Sequence, residues 1–319
     1  MPVRVGLIGA GGIASVHLEN LDDTDDASLV AVADVDEQRA EDAADPRDAA
    51  VYTDGEALID EEDLDAVLVA VSPFAHPQYE RAAAAAGLDL FVEKPVDLSV
   101  PPAEETRDLL AEAGVLTASG YVGRYAAVID RVRELLDGRT LGTIESTYWA
   151  PVPETEWWRH REQSGGQLVE QATHAYDTHR YLAGDVTAVT GAGTTDRLAP
   201  EVDFHDTASV TLVHEDGPVS HVGTATGASS FRFETRVVAE GCQLTVDFME
   251  HTLTGTVDGE AVEEDLPADW YERELNAFLR AVEEGSSDPI RADYADAVET
   301  LRLTLAARDA VEHDERVSL

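Results

Sequence analysis

A chain of 319 residues, 44% of them apolar, is long enough for two domains with real cores and too apolar to be disordered. Its 65 acidic and 22 basic residues give a net charge of −43, which argues against nucleic acid or an anionic membrane as a partner. No run reaches transmembrane length, and the opening strand Val3–Ile8 lacks the features of a signal peptide, so a cytoplasmic protein is expected.

Taken in chain order, the first third alternates strand and helix. Strands are predicted over 3–8, 28–33, 66–71, 88–92 and 116–119, and helices over 15–21, 37–44, 58–62, 78–86 and 103–113. The run 66–71 is entirely apolar, as expected of a parallel strand buried on both faces. This alternation reads as a doubly wound parallel sheet. Beyond about residue 122 the texture changes. Strands are predicted over 143–149, 186–191, 207–214, 219–226, 231–239 and 243–248, with helices over 126–136 and 167–182 among them. Hairpin signals stand at Asp216-Gly217, Glu240-Gly241 and Asp258-Gly259. Helices over 270–284 and 294–312 close the chain. The residues point to a doubly wound domain of Rossmann type over 1–121 and a second domain over 122–319 built on an antiparallel or mixed sheet.

The acids are spread along the whole chain, as in Asp22, Asp23, Asp25 and Asp26 and again in Glu263, Glu264 and Asp265. Such a surface repels itself in dilute buffer, and salt at about 1 M shortens the Debye length to about 3 Å. The pattern resembles that of cytosolic proteins of salt-loving organisms and predicts a requirement for molar salt. Lys94 is the only lysine among the 22 basic residues. Arginine serves at any ordinary surface site, so a single retained lysine suggests chemistry that needs a compact point donor. Cys242 is the only cysteine, which excludes intrachain disulfides and cysteine-rich metal sites. It is expected to be a small buried strand residue.

Gly9, Gly11 and Ala14 form a G-x-G-x-x-A pattern between a predicted strand and a predicted helix. Gly9 permits the tight turn, Gly11 lets a pyrophosphate approach the backbone, and Ala14 allows close packing of helix on strand. With Gly12 and Ile13 they frame a helix N-terminus that offers free N–H groups to phosphates. Asp34 ends the next strand, 20 residues after Ala14, where a carboxylate accepts from ribose hydroxyls and repels a 2′-phosphate. NAD is therefore preferred to NADP, with Arg39 as the residue through which a phosphate could still be held. Ser72, Pro73 and His76 leave the carboxyl end of a central strand, the edge at which such sheets bind ligands. His76 reads equally well as a helix-start residue without a ligand.

Glu170, His174, Asp177 and Tyr181 fall at i, i+4, i+7 and i+11 of the predicted helix 167–182, a polar stripe with a histidine between two carboxylates. Neither a metal-binding HxxxH nor a Cys/His cluster is present, so no catalytic metal is expected.

Gly9-x-Gly11-x-x-Ala14, Glu93-Lys94-Pro95 and Gly165-Gly166 leading into His174-x-x-Asp177 resemble, in order and spacing, the Gfo/Idh/MocA oxidoreductases. The resemblance covers the whole chain and implies an α/β Rossmann domain followed by an α+β domain with an open, mostly antiparallel sheet, the last helix packing back near the first domain. It implies an NAD(P)-dependent dehydrogenase or reductase acting on a sugar, polyol or related hydroxy compound. It places Glu93 and Lys94 at the cofactor, with Lys94 polarising the substrate oxygen. It makes His174 the acid/base and has Asp177 hold a substrate hydroxyl or orient His174. Arg124, Trp158 and Arg159 correspond to substrate-lining stretches. Glu170 stands where the family usually has aspartate, and Ala172 where it usually has glycine. The resemblance further implies a homodimer or homotetramer associating through the second-domain sheet. Two other reactions fit the same fold: an NAD-dependent glycosidase with no net redox change, and a non-catalytic NAD-binding sensor.

Overall fold

The computed structural model describes residues 1–319. Its chain divides into two compact units, Met1–Val122 with Tyr271–Val298, and Gly123–Trp270 with Glu299–Leu319. No helix is long and apolar enough to cross a membrane.

The first unit holds six strands: β1 (Val3–Ile8), β2 (Ala27–Ala33), β3 (Ala50–Tyr52), β4 (Ala66–Val69), β5 (Asp89–Val92) and β6 (Thr117–Ser119). They pair in the order β3-β2-β1-β4-β5-β6, all parallel. This is the doubly wound arrangement, whose strand order reverses between β1 and β4. Between the strands run α1 (Gly12–Asp22), α2 (Glu37–Ala44), α3 (Gly55–Glu61), α4 (His76–Ala86) and α5 (Val100–Ala113). Local chemistry sets their ends. The Asp36 and Asp54 carboxylates accept from Gln38 N and Glu56 N to cap α2 and α3, and left-handed Gly87 and Gly114 close α4 and α5.

Residues 271–298 were expected in the second domain, yet they pack with the first. The reason is the apolar face of the later helix Trp270–Glu284. Its Leu275, Phe278 and Leu279 join Val5, Leu7, Leu68 and Phe91 in one core, with Phe278 set edge-on to Phe91 at 5.8 Å.

The second unit is built on a nine-stranded sheet. Its strands are β7 (Leu141–Ala150), β8 (Val186–Thr194), β9 (Thr207–His214), β10 (Val219–Thr226), β11 (Arg232–Ala239), β12 (Cys242–Asp247), β13 (Thr252–Val257), β14 (Glu260–Asp265) and β15 (Val317–Ser318). The order is β14-β13-β12-β11-β7-β10-β9-β8-β15, and only β7 and β10 pair in parallel. The expected Rossmann domain followed by a mostly antiparallel sheet is thus the observed fold. The Asp258-Gly259 turn has positive φ at both residues, as a two-residue hairpin of this twist requires. Against one face of the sheet lie α6 (Ala127–Leu136) and the helical segments α8 (Gln167–Glu170) and α9 (Thr173–Ala183), with the short α7 (Arg161–Ser164) leading into α8. After α10 (Trp270–Glu284), α11 (Tyr294–His313) completes that layer. Cys242 is buried in β12, as read from the sequence.

The predicted helix 167–182 is two helices. Gln171 and Ala172 both donate their N–H to the Gln167 carbonyl, and the ladder restarts with Ala175 and Tyr176 donating to Ala172. Neither proline nor glycine marks this break, so the sequence pattern runs straight through it.

Candidate active site

In the first unit, the residues singled out by sequence follow the strands at the carboxyl edge of the parallel sheet. Gly9 has φ +96°, and a Cβ there would fall 2.5 Å from the Ala70 carbonyl oxygen, so no other residue fits. Gly11 and Gly12 face open space, while Ala14 is fully buried against β1. Helix α1 starts at Gly12 with no side chain capping its N-terminus, and Ile13 is half-buried within its first turn. The Asp34 carboxylate is fixed by two backbone donors, Ala10 N at 2.8 Å and Asp36 N at 2.9 Å. These bonds lock the glycine turn to the end of β2 and hold the carboxylate at the sheet edge.

Ser72 and Pro73 lie in the loop after β4, with Pro73 buried at the start of a short 3-10 turn. His76 turns inward. Its ring is fully buried, with Nε2 2.7 Å from the Val71 carbonyl oxygen and Nδ1 3.5 Å from Glu80 Oε1. Glu80 is equally buried, accepts from Tyr294 Oη at 2.6 Å, and is held above the usual carboxylate range by burial. His76 therefore braces the end of β4 from below. Of the two roles that the sequence left open for His76, its burial favours the helix-start residue, because the first turn of α4 directs the ring inward.

Glu93 also turns inward. Its carboxylate lies 2.8 Å from His17 Nε2 on α1 and accepts from the Lys94 N–H at 3.2 Å. A Cβ on Gly120 would sit 2.6 Å from Glu93 Oε2, which explains the glycine there. The Glu93 side chain is thus a brace for the turn, not a cofactor ligand. Lys94 is half-buried, and the Lys94–Pro95 peptide bond is cis. His17, which no spacing ties to Glu93, was missed by sequence reasoning.

In the second unit, Asp177 and Arg124 meet each other. Arg124 Nε and Nη2 bind Asp177 at 3.0 and 2.8 Å, and both side chains are about 95% buried. Thr300 Oγ1 adds a bond to Asp177 Oδ1 at 3.0 Å. The Arg124 guanidinium lies 5.0 Å over the Tyr181 ring, and Arg133 covers the same ring at 4.5 Å while donating to its hydroxyl. Both residues were expected at the substrate. They bind one another, because opposite charges are retained in a core as hydrogen-bonded pairs.

Trp158 is 2% exposed, packs edge-on to Phe204 at 5.2 Å, and donates from Nε1 to Glu170 Oε2 at 2.6 Å. It is a core residue rather than a stacking surface for a substrate. Glu170 belongs to α8 and His174 to α9, so the break at 171–172 removes the i, i+4 relation expected of them. Arg159 is half-exposed, with Nη1 3.3 Å from Glu156. His174 is half-buried in the first turn of α9, where its carbonyl accepts from Thr178 Oγ1 at 2.8 Å.

Residues 3–121 match an oxidoreductase family with an NAD-binding Rossmann fold, and residues 129–245 match the GFO/IDH/MocA C-terminal domain. The chain belongs to the Gfo/Idh/MocA oxidoreductases. It is similar to a myo-inositol 2-dehydrogenase of Thermotoga maritima, 26% identical over 336 residues that cover 99% of this chain and 98% of the relative. It is also similar to D-xylose 1-dehydrogenase (NADP(+)) 2 of Haloferax volcanii, 27% identical over 98% of this chain and 99% of that protein. Among solved structures, a probable dehydrogenase from Thermotoga maritima superposes with a TM-score of 0.86 at 26% identity, covering 99% of this chain and 98% of the other.

The first unit of this Gfo/Idh/MocA chain fits the dinucleotide of its family. The open space at Gly11 and Gly12, the uncapped start of α1 and the fixed Asp34 carboxylate supply respectively room, N–H donors and a ribose acceptor.

Proposed function

We propose that this Gfo/Idh/MocA protein is an NAD-dependent dehydrogenase that moves hydride between nicotinamide C4 and a hydroxyl-bearing carbon of a sugar or polyol. The observation that carries the reading is the braced Glu93-Lys94-Pro95 turn. The only lysine of the chain follows a carboxylate locked by His17, at the carboxyl end of β5. The inositol and xylose dehydrogenases to which the chain is similar point to the same substrate class.

NAD, when bound, accepts or returns the hydride. Gly11, Gly12 and the first N–H groups of α1 hold its pyrophosphate, and Asp34 accepts from the adenosine ribose. NAD is preferred to NADP because a 2′-phosphate would meet Asp34 and Asp36, with Arg39 already 3.5 Å from Asp36. Ser72 and Pro73 line the cofactor from the loop after β4. The Lys94 ammonium donates to the substrate oxygen and stabilises its alkoxide character as hydride moves. His174 takes the hydroxyl proton in oxidation and returns it in reduction. Asp177 acts by holding Arg124 and the middle of α9. Arg159 is the remaining candidate for a substrate contact.

The chain is read as a cytoplasmic enzyme of halophilic type, from its charge of −43, and as a dimer or tetramer through the outer face of the large sheet. That face exposes Trp149, Val219 and Val238. The test is reduction of NAD and NADP across inositols, pentoses, hexoses and their acids, from dilute to molar KCl. Reduced cofactor is expected with at least one polyol or sugar, with NAD preferred and rates rising with salt. No reduction of either cofactor by any of them at any salt concentration would refute the reading.

A further inference from the structure

Helix α9 carries His174 on one face and a second histidine, His179, on another. Five residues separate them, about 140° around the helix. His179 is fully buried, with Nε2 2.8 Å from Ser146 Oγ on β7 and Nδ1 2.8 Å from Ser220 Oγ on β10. Ser146 Oγ continues to Thr235 Oγ1 on β11 at 2.6 Å, and Ser220 Oγ to His214 Nε2 on β9 at 2.7 Å. His214 Nδ1 ends the chain 2.8 Å from the carbonyl oxygen of Gly184, the residue that closes α9.

The carbonyl fixes the direction of every hydrogen in this chain. Gly184 O only accepts, so His214 Nδ1 carries the hydrogen, and a neutral His214 accepts at Nε2 from the Ser220 hydroxyl. Ser220 then accepts from His179 Nδ1–H, His179 Nε2 accepts from Ser146, and Ser146 accepts from Thr235. Each donor has one acceptor, with both imidazoles neutral. A proton added to either ring places a donor where an acceptor is needed, and a serine must turn away. The titratable groups around His179 are His214 from β9 and His221 from β10, with Asp185 acting on His214. No carboxylate belongs to the chain itself.

We propose that His179 is a positioning residue: through Ser146, Ser220, His214 and Thr235 it clamps α9 to four strands and so sets the orientation of His174. The proposal rests on the reading of His174 as the proton-exchanging group. The break at Gln171 and Ala172 makes a tether of this kind necessary, because α8 does not continue into α9 to fix its rotation. Asp177, Arg124 and Thr300 hold a second side of α9.

Ser220→Ala tests the clamp by removing the hydroxyl between the two imidazoles without adding bulk, with Ser146→Ala as the second cut should the first fail to fold. Each is assayed well below its own Tm, and His174 is followed by NMR of its imidazole. The expected result is a fall in kcat of about tenfold to a hundredfold, an unchanged Kd for NAD, and a displaced His174 resonance with an altered titration. A lower Tm with kcat and the His174 resonance unmoved would overturn the proposal. His174→Asn, measured alongside, separates the two readings. Full turnover in that variant removes His174 from the chemistry, while the displacement of its resonance in Ser220→Ala still decides the clamp.

Discussion

Asp177 and Arg124, 53 residues apart in sequence, form a buried two-pronged ion pair whose closest approach is 2.8 Å. The pair joins the segment after β6 to the middle of α9, and Thr300 closes it from α11. Removing one member strands the other's charge in the core, which costs about 3–5 kcal/mol, whereas replacing both with apolar groups is close to neutral. Arg124→Met and Asp177→Leu should each lower stability by that amount in urea unfolding. The double variant should recover most of it. Additive losses in the double variant would show that the two side chains act separately.

Lys94→Ala is expected to lower turnover by about 10²–10³-fold, the effect of deleting one donor to a developing oxyanion, while calorimetric NAD binding is kept. Lys94→Arg should be impaired as well. A planar guanidinium cannot stand in for a compact ammonium at one oxygen, which would account for the survival of lysine at this position alone. Near-normal turnover in either variant contradicts the role given to Lys94.

Asp34 has two duties that substitution separates. Asp34→Ala removes the ribose acceptor and also the bonds to Ala10 N and Asp36 N. It should raise the KM for NAD about tenfold, about 1.4 kcal/mol, narrow the preference over NADP, and lower Tm. Asp34→Asn keeps an acceptor oxygen without the charge, so it should retain more of the Tm while still relaxing the preference. An unchanged ratio of kcat/KM for the two cofactors in both variants argues against Asp34 as the discriminating group.

Acid should loosen the second unit through its buried histidines. Burial, with His214 and His221 nearby, holds His179 down at about 3, and burial lowers His214 as well. An unfolded histidine titrates near 6.5, so below that pH the unfolded chain takes up protons that the native chain refuses. The stability present above about pH 6.5 is therefore lost as pH falls towards the folded value, by up to about 1.4 kcal/mol per pH unit for each histidine. His179→Gln, which cannot take up that proton, should show a shallower fall of the urea midpoint between about pH 6.5 and 5. An identical slope in the two proteins would exclude His179 as a source of the acid sensitivity.

Local features were legible in the chain itself. The sign of φ at Gly9 and at the Asp258-Gly259 hairpin depends on a few neighbouring residues, and so does the apolar run that makes β4 a buried strand. The retention of one lysine is a property of composition, and it led to Glu93-Lys94-Pro95 before any coordinate was needed. Side-chain direction was not legible. Nothing near His76 says that its ring meets Val71 and Glu80, and nothing near Trp158 says that its indole is held by Glu170. The polar stripe of residues 170–181 looked continuous because the helix break at Gln171 has no residue signature. Arg124 and Asp177 carry no spacing that says they meet, since the fold brings them together from 53 residues apart. Which backbone elements form and which residue types stand at their ends follow from local sterics and periodicity, and both are written in the chain. Which polar groups face outward and which satisfy one another inside is set by the fold, because a buried donor's partner comes from wherever the chain path brings an acceptor, here from 41 residues away for His179 and 76 for Glu93.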